Sequence, residues 1–304
     1  MTHQHADPAG DGVRTAFLVA AALNVAFIVF EVVFGFRARS LALLSDAGHN
    51  LGDVLGLLLA WGAILLTRRA PSARRTYGLR RSTILAALAN AVVLLIAVGA
   101  VALEAVQRLR HPAQVAGTTV IGVAALGILV NGLSAWLVGR GRRDDLNVRA
   151  AAAHLAADAA VSLGVVLTGV ALVFTRWLWL DPVVSLAVSA LIVAGTWGNL
   201  RESLDLAMDA VPARIDPVAV RSYLESVDGV VDVHDFHVWA MSTTETALTA
   251  HLVTTRVTLD DELTARIVRD LSERFGIAHP TLQWECAGSA QPCRQGRRVY
   301  PDAR

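Results

Sequence analysis

The sequence predicts a polytopic α-helical membrane protein, with six transmembrane helices followed by a small cytoplasmic α+β domain. Of its 304 residues, 54% are hydrophobic, and the mean hydropathy is +0.50, which is high for a soluble globular protein of this length. Six apolar runs each approach or exceed the roughly 20 residues that cross a bilayer. Beyond residue 200 charged residues become frequent, and the apolar residues follow the short patterns of a globular domain.

The six apolar runs follow one another with short polar links. The predicted spans are 16–36, 41–66, 83–106, 116–138, 150–174 and 182–200. The first run is too long for the apolar core of a cleavable signal peptide and has no clear cleavage site. Asp181 and Pro182 predict an N-cap and a first helical position for the sixth span. The predicted division of the chain is 1–14 (cytoplasmic tail), 15–208 (transmembrane domain), 209–286 (cytoplasmic domain) and 287–304 (flexible tail).

Arginine is distributed unevenly among the links. The links after spans two and four carry six and four arginines, whereas those after spans one, three and five carry two, two and one. The positive-inside rule therefore places the even links in the cytoplasm. With six spans, both termini are then cytoplasmic, and we expect a multi-pass protein of the cell (inner) membrane. The net charge of +1, with no basic stripe carrying interleaved aromatic residues, argues against a nucleic-acid partner.

Histidine and aspartate occur four residues apart in two of the predicted spans. His49 and Asp53 lie in the second span, and His154 and Asp158 lie in the fifth. Residues four apart share one face of a helix, and ionisable groups at this depth cost at least about 2.5 kcal/mol each. One such pair is also typical of a hydrogen-bonded packing contact. Two pairs predict a shared site of two imidazoles and two carboxylates, which suits Zn²⁺. We call these four residues the intramembrane quartet.

Other polar residues lie within the apolar runs. Asp46 and Asn50 share the helix face of His49 and Asp53. In the first span Asn24 and Glu31 are seven residues apart, close to two helical turns, so they lie on nearly one face. We expect both to point into the bundle rather than toward lipid, and to make structural hydrogen bonds.

From about residue 216 the pattern predicts the order helix, strand, strand, helix, strand. The predicted elements are 216–226, 230–240, 245–255, 260–275 and 281–285. The β-branched and alternating segments favour strands, and the Asp-Pro pair at 216–217 favours a capped helix start. The order predicts two helices packed on one face of a three-stranded sheet. His234 and His237 are separated by an odd offset, so in a regular strand they face opposite ways and only one joins a given site.

These features resemble the cation diffusion facilitator family of divalent-metal/proton antiporters. The resemblance runs from about residue 16 to 285, and the segments that carry it most clearly are 40–49, 77–78 with 84–88, 154–158, 181–182 and 233–239. It implies a homodimer of six-helix bundles with cytoplasmic ferredoxin-like domains. It also implies that the intramembrane quartet is the transport site, in the form typical of zinc-type members.

The resemblance extends to possible metal ligands in the cytoplasmic domain. His234, His251 and Glu285 match positions that bind zinc in the family, and we call them the sheet triad. Cys286 and Cys293 match loosely the thiols of a tail that closes a second site with N-terminal histidines, here His3 and His5. In the reducing cytoplasm such thiols would be ligands rather than a disulfide. Arg81 and Asp209 match a charge pair that locks the dimer in some relatives.

The quartet predicts exchange of zinc for protons. Zn²⁺ with two neutral imidazoles and two carboxylates has no net charge, and the same groups hold protons when the metal leaves. Alternating exposure of the site would then let an inward proton gradient drive zinc export. An intramembrane metalloenzyme is one alternative, but four protein ligands leave no place for a catalytic water. A membrane-anchored zinc sensor is the other, but paired polar sites in two spans argue against simple anchoring. We therefore expect a transporter and not an enzyme.

Overall fold

The computed structural model describes residues 8–139, 146–255 and 261–288, with the side chains of 8–18, 139 and 146–150 left undescribed. Six long helices come first in the chain. They are α1 (Pro8–Ala38), α2 (Leu41–Thr67), α3 (Ser82–Arg110), α4 (Gly117–Gly139), α5 (Leu146–Thr175) and α6 (Leu180–Ala207). Each contains a segment that is long and apolar enough to cross a membrane, so the six predicted spans are confirmed.

Two of the helices extend well beyond the predicted apolar runs. Helix α1 begins at Pro8, within the stretch expected to be a tail, and α6 continues to Ala207. The apolar run measures the part of a helix that suits the bilayer, and a helix does not have to end where that part ends. The predicted domain boundaries after residues 14, 208 and 286 stay predictions.

The described chain forms two compact units. One comprises residues up to Leu59 together with Ala89–Gly198, and the other comprises Ala60–Leu88 together with the chain from Asn199 onward. In the first unit α4 packs against both α1 and α5. A Cβ atom added at Gly169 of α5 would lie 3.1 Å from the Gly117 carbonyl oxygen of α4. The absence of a side chain at this position therefore lets the two helix backbones approach closely.

Asp181 caps the start of α2 rather than the start of its own helix. Its carboxylate accepts hydrogen bonds from the Ser40 hydroxyl at 2.5 Å, the Leu41 amide at 2.8 Å and the Ala42 amide at 3.4 Å. Helix α6 already includes Asp181, since it begins at Leu180. The prediction of an N-cap on α6 was therefore wrong. The carboxylate instead satisfies amides that the first turn of α2 leaves unpaired, which fixes the beginning of the helix that carries His49 and Asp53.

The C-terminal domain has the predicted order of elements. They are α7 (Pro217–Glu225), β1 (Val230–Ala240), β2 (Thr246–Thr254), α8 (Asp261–Phe275) and β3 (His279–Cys286). Strand β2 lies in the centre of the sheet, antiparallel to β1 and parallel to β3. Asp216 caps α7 through the amides of Val218 and Ala219, as predicted. Both helices pack on one face of the sheet, in keeping with the ferredoxin-like fold.

That face of the sheet holds the core of the domain. Leu224 of α7 and Ile267 and Leu271 of α8 are fully buried against Leu248 and Leu252 of β2. Apolar and polar residues alternate along the strands, so one face of the sheet packs in the core and the other face carries polar side chains. The sheet triad lies on this second face.

The link between α2 and α3 belongs to the same unit as the C-terminal domain. Arg81 forms an ion pair with Asp209, and Arg80 contacts Glu245 at 2.8 Å. Ile84, Leu206 and Ala240 are buried together beside these pairs. The Arg81–Asp209 contact predicted by resemblance is therefore present within one chain, and its role in locking a dimer stays a prediction.

Candidate metal-binding sites

Helices α2 and α5 bring the intramembrane quartet together. The Nε2 atom of His49 lies 3.4 Å from Asp158 Oδ1 and 3.9 Å from Asp53 Oδ2. The Nε2 atom of His154 lies 3.0 Å from Asp53 Oδ2 and 3.8 Å from Asp158 Oδ2. Each histidine therefore contacts the aspartate of its own helix and that of the other helix. The helical spacing of four residues gives the first contact, and the packing of α2 beside α5 gives the second.

These distances suit a tetrahedral zinc ion. Zn–N and Zn–O bonds of about 2.0–2.2 Å set the ligands of such an ion about 3.4 Å apart. The four His–Asp contacts in the quartet range from 3.0 to 3.9 Å, which is close to that spacing, and the two histidines contact different oxygens of Asp158. Ligand atoms of His49, Asp53 and Asp158 all lie within 4.8 Å of one another. The two imidazole rings stand edge to face, with centroids 6.1 Å apart.

The four side chains of the quartet differ in how deeply they are buried. The side chain of Asp158 is only 5% exposed, whereas that of His154 is 50% exposed. His49 and Asp53 lie between these values. His154 is therefore the most exposed ligand of the quartet and Asp158 the most buried.

A second, more deeply buried group of polar side chains lies beside the quartet. Asp46 is fully buried on α2, and its Oδ2 atom accepts a hydrogen bond from Ser162 of α5 at 3.0 Å. Glu31 of α1 is also fully buried, and its carboxylate faces Asp46 and Asn50. Neither oxygen of Glu31 makes a hydrogen bond of good geometry with the described residues. The expectation that Glu31 makes structural hydrogen bonds stays a prediction.

The expectation that Asn24 makes structural hydrogen bonds inside the bundle is confirmed. Its amide donates to the Ala20 carbonyl at 2.9 Å and to the Ser134 hydroxyl of α4 at 3.3 Å. This side chain joins α1 to α4, and its hydrogen bonds account for its position in an apolar helix.

The sheet triad is assembled by the register of the three strands. His234 of β1 is directly opposite His251 of β2, and Glu285 lies on the neighbouring strand β3. The Glu285 carboxylate lies 3.3 Å from His234 Nε2 and 2.8 Å from His251 Nδ1. All three side chains are largely buried, and their ligand atoms lie within 4.8 Å of one another. A His/His/Glu set of this size can hold Zn²⁺ and leaves a fourth position for another ligand.

A β-bulge in β1 brings an additional carboxylate to the triad. The pairing with β2 shifts between His234 and His237, and Asp235 has a positive φ of 49°. Asp235 then lies 3.4 Å from His251 Nε2 and 3.0 Å from His237 Nε2. The extra residue puts His234 and His237 on the same face of the sheet, so the expectation of opposite faces was wrong. The sequence gives no signal for Asp235, because in a regular strand without the bulge its side chain would not reach His251.

The proposed tail site lies mostly outside the described residues. Cys286 is exposed at the end of β3, whereas Cys293, His3 and His5 fall outside the part of the chain that the structure describes. The tail site stays a prediction.

Comparison with known families and proteins places the chain among metal transporters. Residues 17–206 match the description "Cation efflux transmembrane domain", and residues 212–286 match "Cation efflux protein, cytoplasmic domain". These two matches cover both the helices that carry the quartet and the sheet that carries the triad.

The chain is similar along almost its whole length to three bacterial proteins with assigned names. It is 34% identical to the metal cation efflux system protein CzcD of Cupriavidus metallidurans, covering 96% of this chain and 91% of that one. It is 34% identical to the zinc transporter ZitB of Escherichia coli, covering 96% and 94%. It is 32% identical to the cadmium, cobalt and zinc/H(+)-K(+) antiporter of Bacillus subtilis, covering 94% and 92%.

One similar solved structure is the metal-bound C-terminal domain of the CzcD transporter from the same Cupriavidus species. It is 29% identical over 23% of this chain and 99% of that chain, with a TM-score of 0.22.

Proposed function

The chain belongs to the cation efflux family, the cation diffusion facilitators, and from that premise we propose that it exports zinc across the membrane in exchange for protons. Efflux of divalent metal cations is the activity of the family. The observation that carries the finer proposal is the intramembrane quartet, in which each histidine nitrogen contacts both aspartate carboxylates at 3.0 to 3.9 Å, a ligand set that suits zinc. The names of the ZitB and antiporter relatives support zinc and protons as the exchanged ions.

Charge neutrality makes the quartet a suitable place for a dication inside a bilayer. Zn²⁺ together with the Asp53 and Asp158 carboxylates and two neutral imidazoles has no net charge. A bare dication at this depth would be far more costly, since even a single charged side chain costs several kcal/mol there. When zinc leaves, the same imidazoles and carboxylates take up protons. Metal and protons therefore compete for one set of atoms, which is what coupled exchange requires.

The position of the quartet between two helices supports alternating access. Two ligands come from α2 and two from α5, so a shift of one helix against the other changes the ligand distances. The unequal burial of His154 and Asp158 is compatible with a site that faces one aqueous phase at a time. The metal enters in one arrangement and leaves in the other, each time exchanging with protons.

The other two functional hypotheses lose support. The family is one of transporters rather than enzymes, and four protein ligands leave no coordination position for a catalytic water. A zinc sensor with a simple membrane anchor does not explain four ionisable residues within the spans. The sheet triad adds a sensing function to the transporter instead.

We place the protein as a homodimer in the cell membrane, with both termini in the cytoplasm. The family description of residues 212–286 as a cytoplasmic domain supports this orientation, and so does the excess of arginine in the even links. The resemblance to the family supports the dimer. Zinc would then bind the quartet from the cytoplasm and leave on the opposite side.

Zinc uptake into proteoliposomes tests the proposal. Full-length protein is reconstituted with a zinc-sensitive dye inside, and a pH gradient with acidic interior is applied. We expect zinc to accumulate inside as protons leave, and the accumulation to stop when an ionophore collapses the pH gradient. Zinc flux that does not depend on the pH gradient would disprove proton exchange. Binding without flux would favour the sensor, and cadmium and cobalt in the same assay define the metal range.

A further inference from the structure

The Glu31–Asp46 pair is the most unusual feature of the transmembrane unit outside the quartet. Both carboxylates are fully buried, and Glu31 faces Asp46 directly. Ser162 donates to one oxygen of Asp46 at 3.0 Å. The other oxygen of Asp46 and both oxygens of Glu31 make no hydrogen bond of good geometry within the described part of the chain. Three of the four oxygens are therefore left without the partners that a buried carboxylate requires.

Asn50 of α2 lies beside the same pair of carboxylates. Its side chain faces Glu31, it is 5% exposed, and its amide nitrogen has no hydrogen-bond partner among the described residues. A buried amide donor directed at two carboxylates indicates that a cation or a proton is held between them. A proton between the carboxylates is an occupant that needs no further space.

No salt bridge to the described residues compensates the pair. Among the described side chains, neither Glu31 nor Asp46 forms an ion pair within 4.0 Å, although several other carboxylates do. Helix α4, which packs against α1, contains no ionisable residue. The ionisable groups that act on Asp46 from α2 and α5 are His49, which attracts it, and Asp158, which repels it. On α1 itself, Arg37 at the end of the helix lies over the Phe34 ring.

The free-energy cost of two adjacent negative charges decides the protonation of the pair. A single unpaired charge within a membrane helix costs at least about 2.5 kcal/mol, and a second carboxylate beside it adds repulsion. One proton removes a charge and supplies a hydrogen bond between the two groups. The pair is then a hydrogen-bonded carboxylic acid and carboxylate, with Asn50 as a further donor.

We propose that Glu31 and Asp46 hold one proton between them, apart from the quartet, and that this proton is one of those exchanged for zinc. The role of this proton in transport rests on the proposed zinc–proton exchange. Helix α2 carries both Asp46 and His49, and Ser162 follows Asp158 by one turn on α5. A movement of α5 against α2 that opens the quartet also changes the Ser162–Asp46 hydrogen bond. The proton then passes from the carboxylic acid to water on one side and is replaced from water on the other.

Infrared difference spectroscopy tests the protonation itself. Full-length protein in lipid is measured at neutral pH with and without zinc. We expect the carbonyl stretch of a protonated carboxylic acid, and we expect Glu31→Gln to remove it. The matched control is Glu104→Gln, which changes a carboxylate on α3 that already bonds to Arg108 at 2.9 Å. A protonated-acid band that persists unchanged in Glu31→Gln and in Asp46→Asn would overturn the proposal.

Counting protons released per zinc bound tests the coupling. Calorimetry in buffers of different ionisation enthalpy gives both the zinc stoichiometry and the proton count. We expect Glu31→Gln to bind as much zinc per protomer as the wild type and to release fewer protons. A lower zinc stoichiometry would mean that the pair is a metal site, and an unchanged proton count would remove it from the exchange. Asp46→Asn gives the same test if Glu31→Gln does not fold.

The two proposals fail in different ways. If wild-type proteoliposomes show zinc flux without proton coupling, zinc–proton exchange is wrong, whereas the infrared band still decides whether the pair is protonated. If coupling is present and the band is absent, the exchanged protons belong to the quartet alone.

Discussion

Asp158 is the residue on which the intramembrane quartet depends most. It is nearly buried and lies within 4 Å of both histidines, so its carboxylate can bind the same cation as either imidazole. Replacing it with Asn keeps the shape but removes that charge. We expect Asp158→Asn to lower zinc affinity by more than the roughly 10- to 100-fold that loss of an outer-shell partner costs, and to abolish flux.

Zinc binding by calorimetry and zinc flux in proteoliposomes check this expectation. The control is Asp205→Asn, which makes the same chemical change at an exposed position near the end of α6. Wild-type flux in Asp158→Asn would remove Asp158 from the transport site.

Sequence reasoning could identify the quartet because its signal is local. Two ligands one helical turn apart mark a face of a helix, and the repeat of the pattern in a second apolar span points to a shared site. Asp235 and Asp181 give no comparable signal. Asp235 reaches His251 only because a bulge changes the strand, and Asp181 caps a helix 140 residues earlier in the chain. Such contacts depend on tertiary packing, which spacing alone does not reveal.

At the scale of single elements, the start of α2 positions two ligands of the quartet. Asp181 accepts hydrogen bonds from Leu41 and Ala42 at this start. Loss of a helix cap costs about 0.5–2 kcal/mol, and here the amides would also be left buried without a partner. We expect Asp181→Ala to lower the thermal unfolding midpoint and to weaken zinc flux, because the first turn of α2 loosens.

Asp181→Asn is the matched variant, since its single side-chain oxygen can still accept from one of the two amides, which donate to different oxygens of Asp181. We expect its stability to lie between those of Asp181→Ala and the wild type. Both variants are compared by thermal unfolding in the same detergent. Equal midpoints for Asp181→Ala and the wild type would show that the cap does not stabilise α2.

The contact between α7 and α8 makes the stability of the C-terminal domain depend on pH. Tyr223 of α7 donates a hydrogen bond to Asp270 of α8 at 2.6 Å. Burial, followed by the hydrogen bond to Asp270, raises the pKa of Tyr223 to about 12, whereas an unfolded tyrosine has a pKa of about 10. The folded state therefore holds this proton more tightly. The stabilising contribution is complete below pH about 10 and is lost as the pH rises through about 12.

Urea unfolding of the C-terminal domain across this pH range checks the dependence. The chain has no lysine, so no ammonium group titrates in the same window. We expect the free energy of unfolding to fall with rising pH in the wild type, and to fall less steeply in Tyr223→Phe. Parallel curves for the two proteins would contradict the assignment.

At the scale of the whole molecule, hydropathy predicted the number and order of the elements but not the full length of the helices. Apolar runs marked all six spans, because only helices of sufficient length satisfy backbone groups in lipid. Helix α6 nevertheless continues through Arg201, Glu202 and Asp205. The bilayer imposes no apolar requirement on residues beyond its core, so the sequence pattern there no longer distinguishes helix from link.

The C-terminal domain is expected to sense zinc for the transporter. It has its own core, and its sheet triad forms a ligand set that suits zinc. We expect the chain from about residue 211 onward to form a soluble dimer that binds zinc. A ligand at 100 times its dissociation constant stabilises the folded state by about 2.7 kcal/mol, so zinc should raise the thermal midpoint measurably.

Calorimetry on three proteins decides whether the triad is the sensor. We expect the wild-type domain to bind zinc and the double variant His234→Ala, His251→Ala to lose binding, because only Glu285 of the triad then remains. The control His279→Ala removes an exposed histidine at the start of β3, outside the triad, and should bind like the wild type. Equal zinc affinity in the double variant would mean that the triad is an ordinary polar cluster.

If only proteins with an intact triad bind, and their protomers draw closer on binding, zinc in the cytoplasm favours the dimer arrangement that transports. Full-length protein carrying the double substitution would then keep the quartet and its flux at high zinc, but lose part of its response as zinc rises.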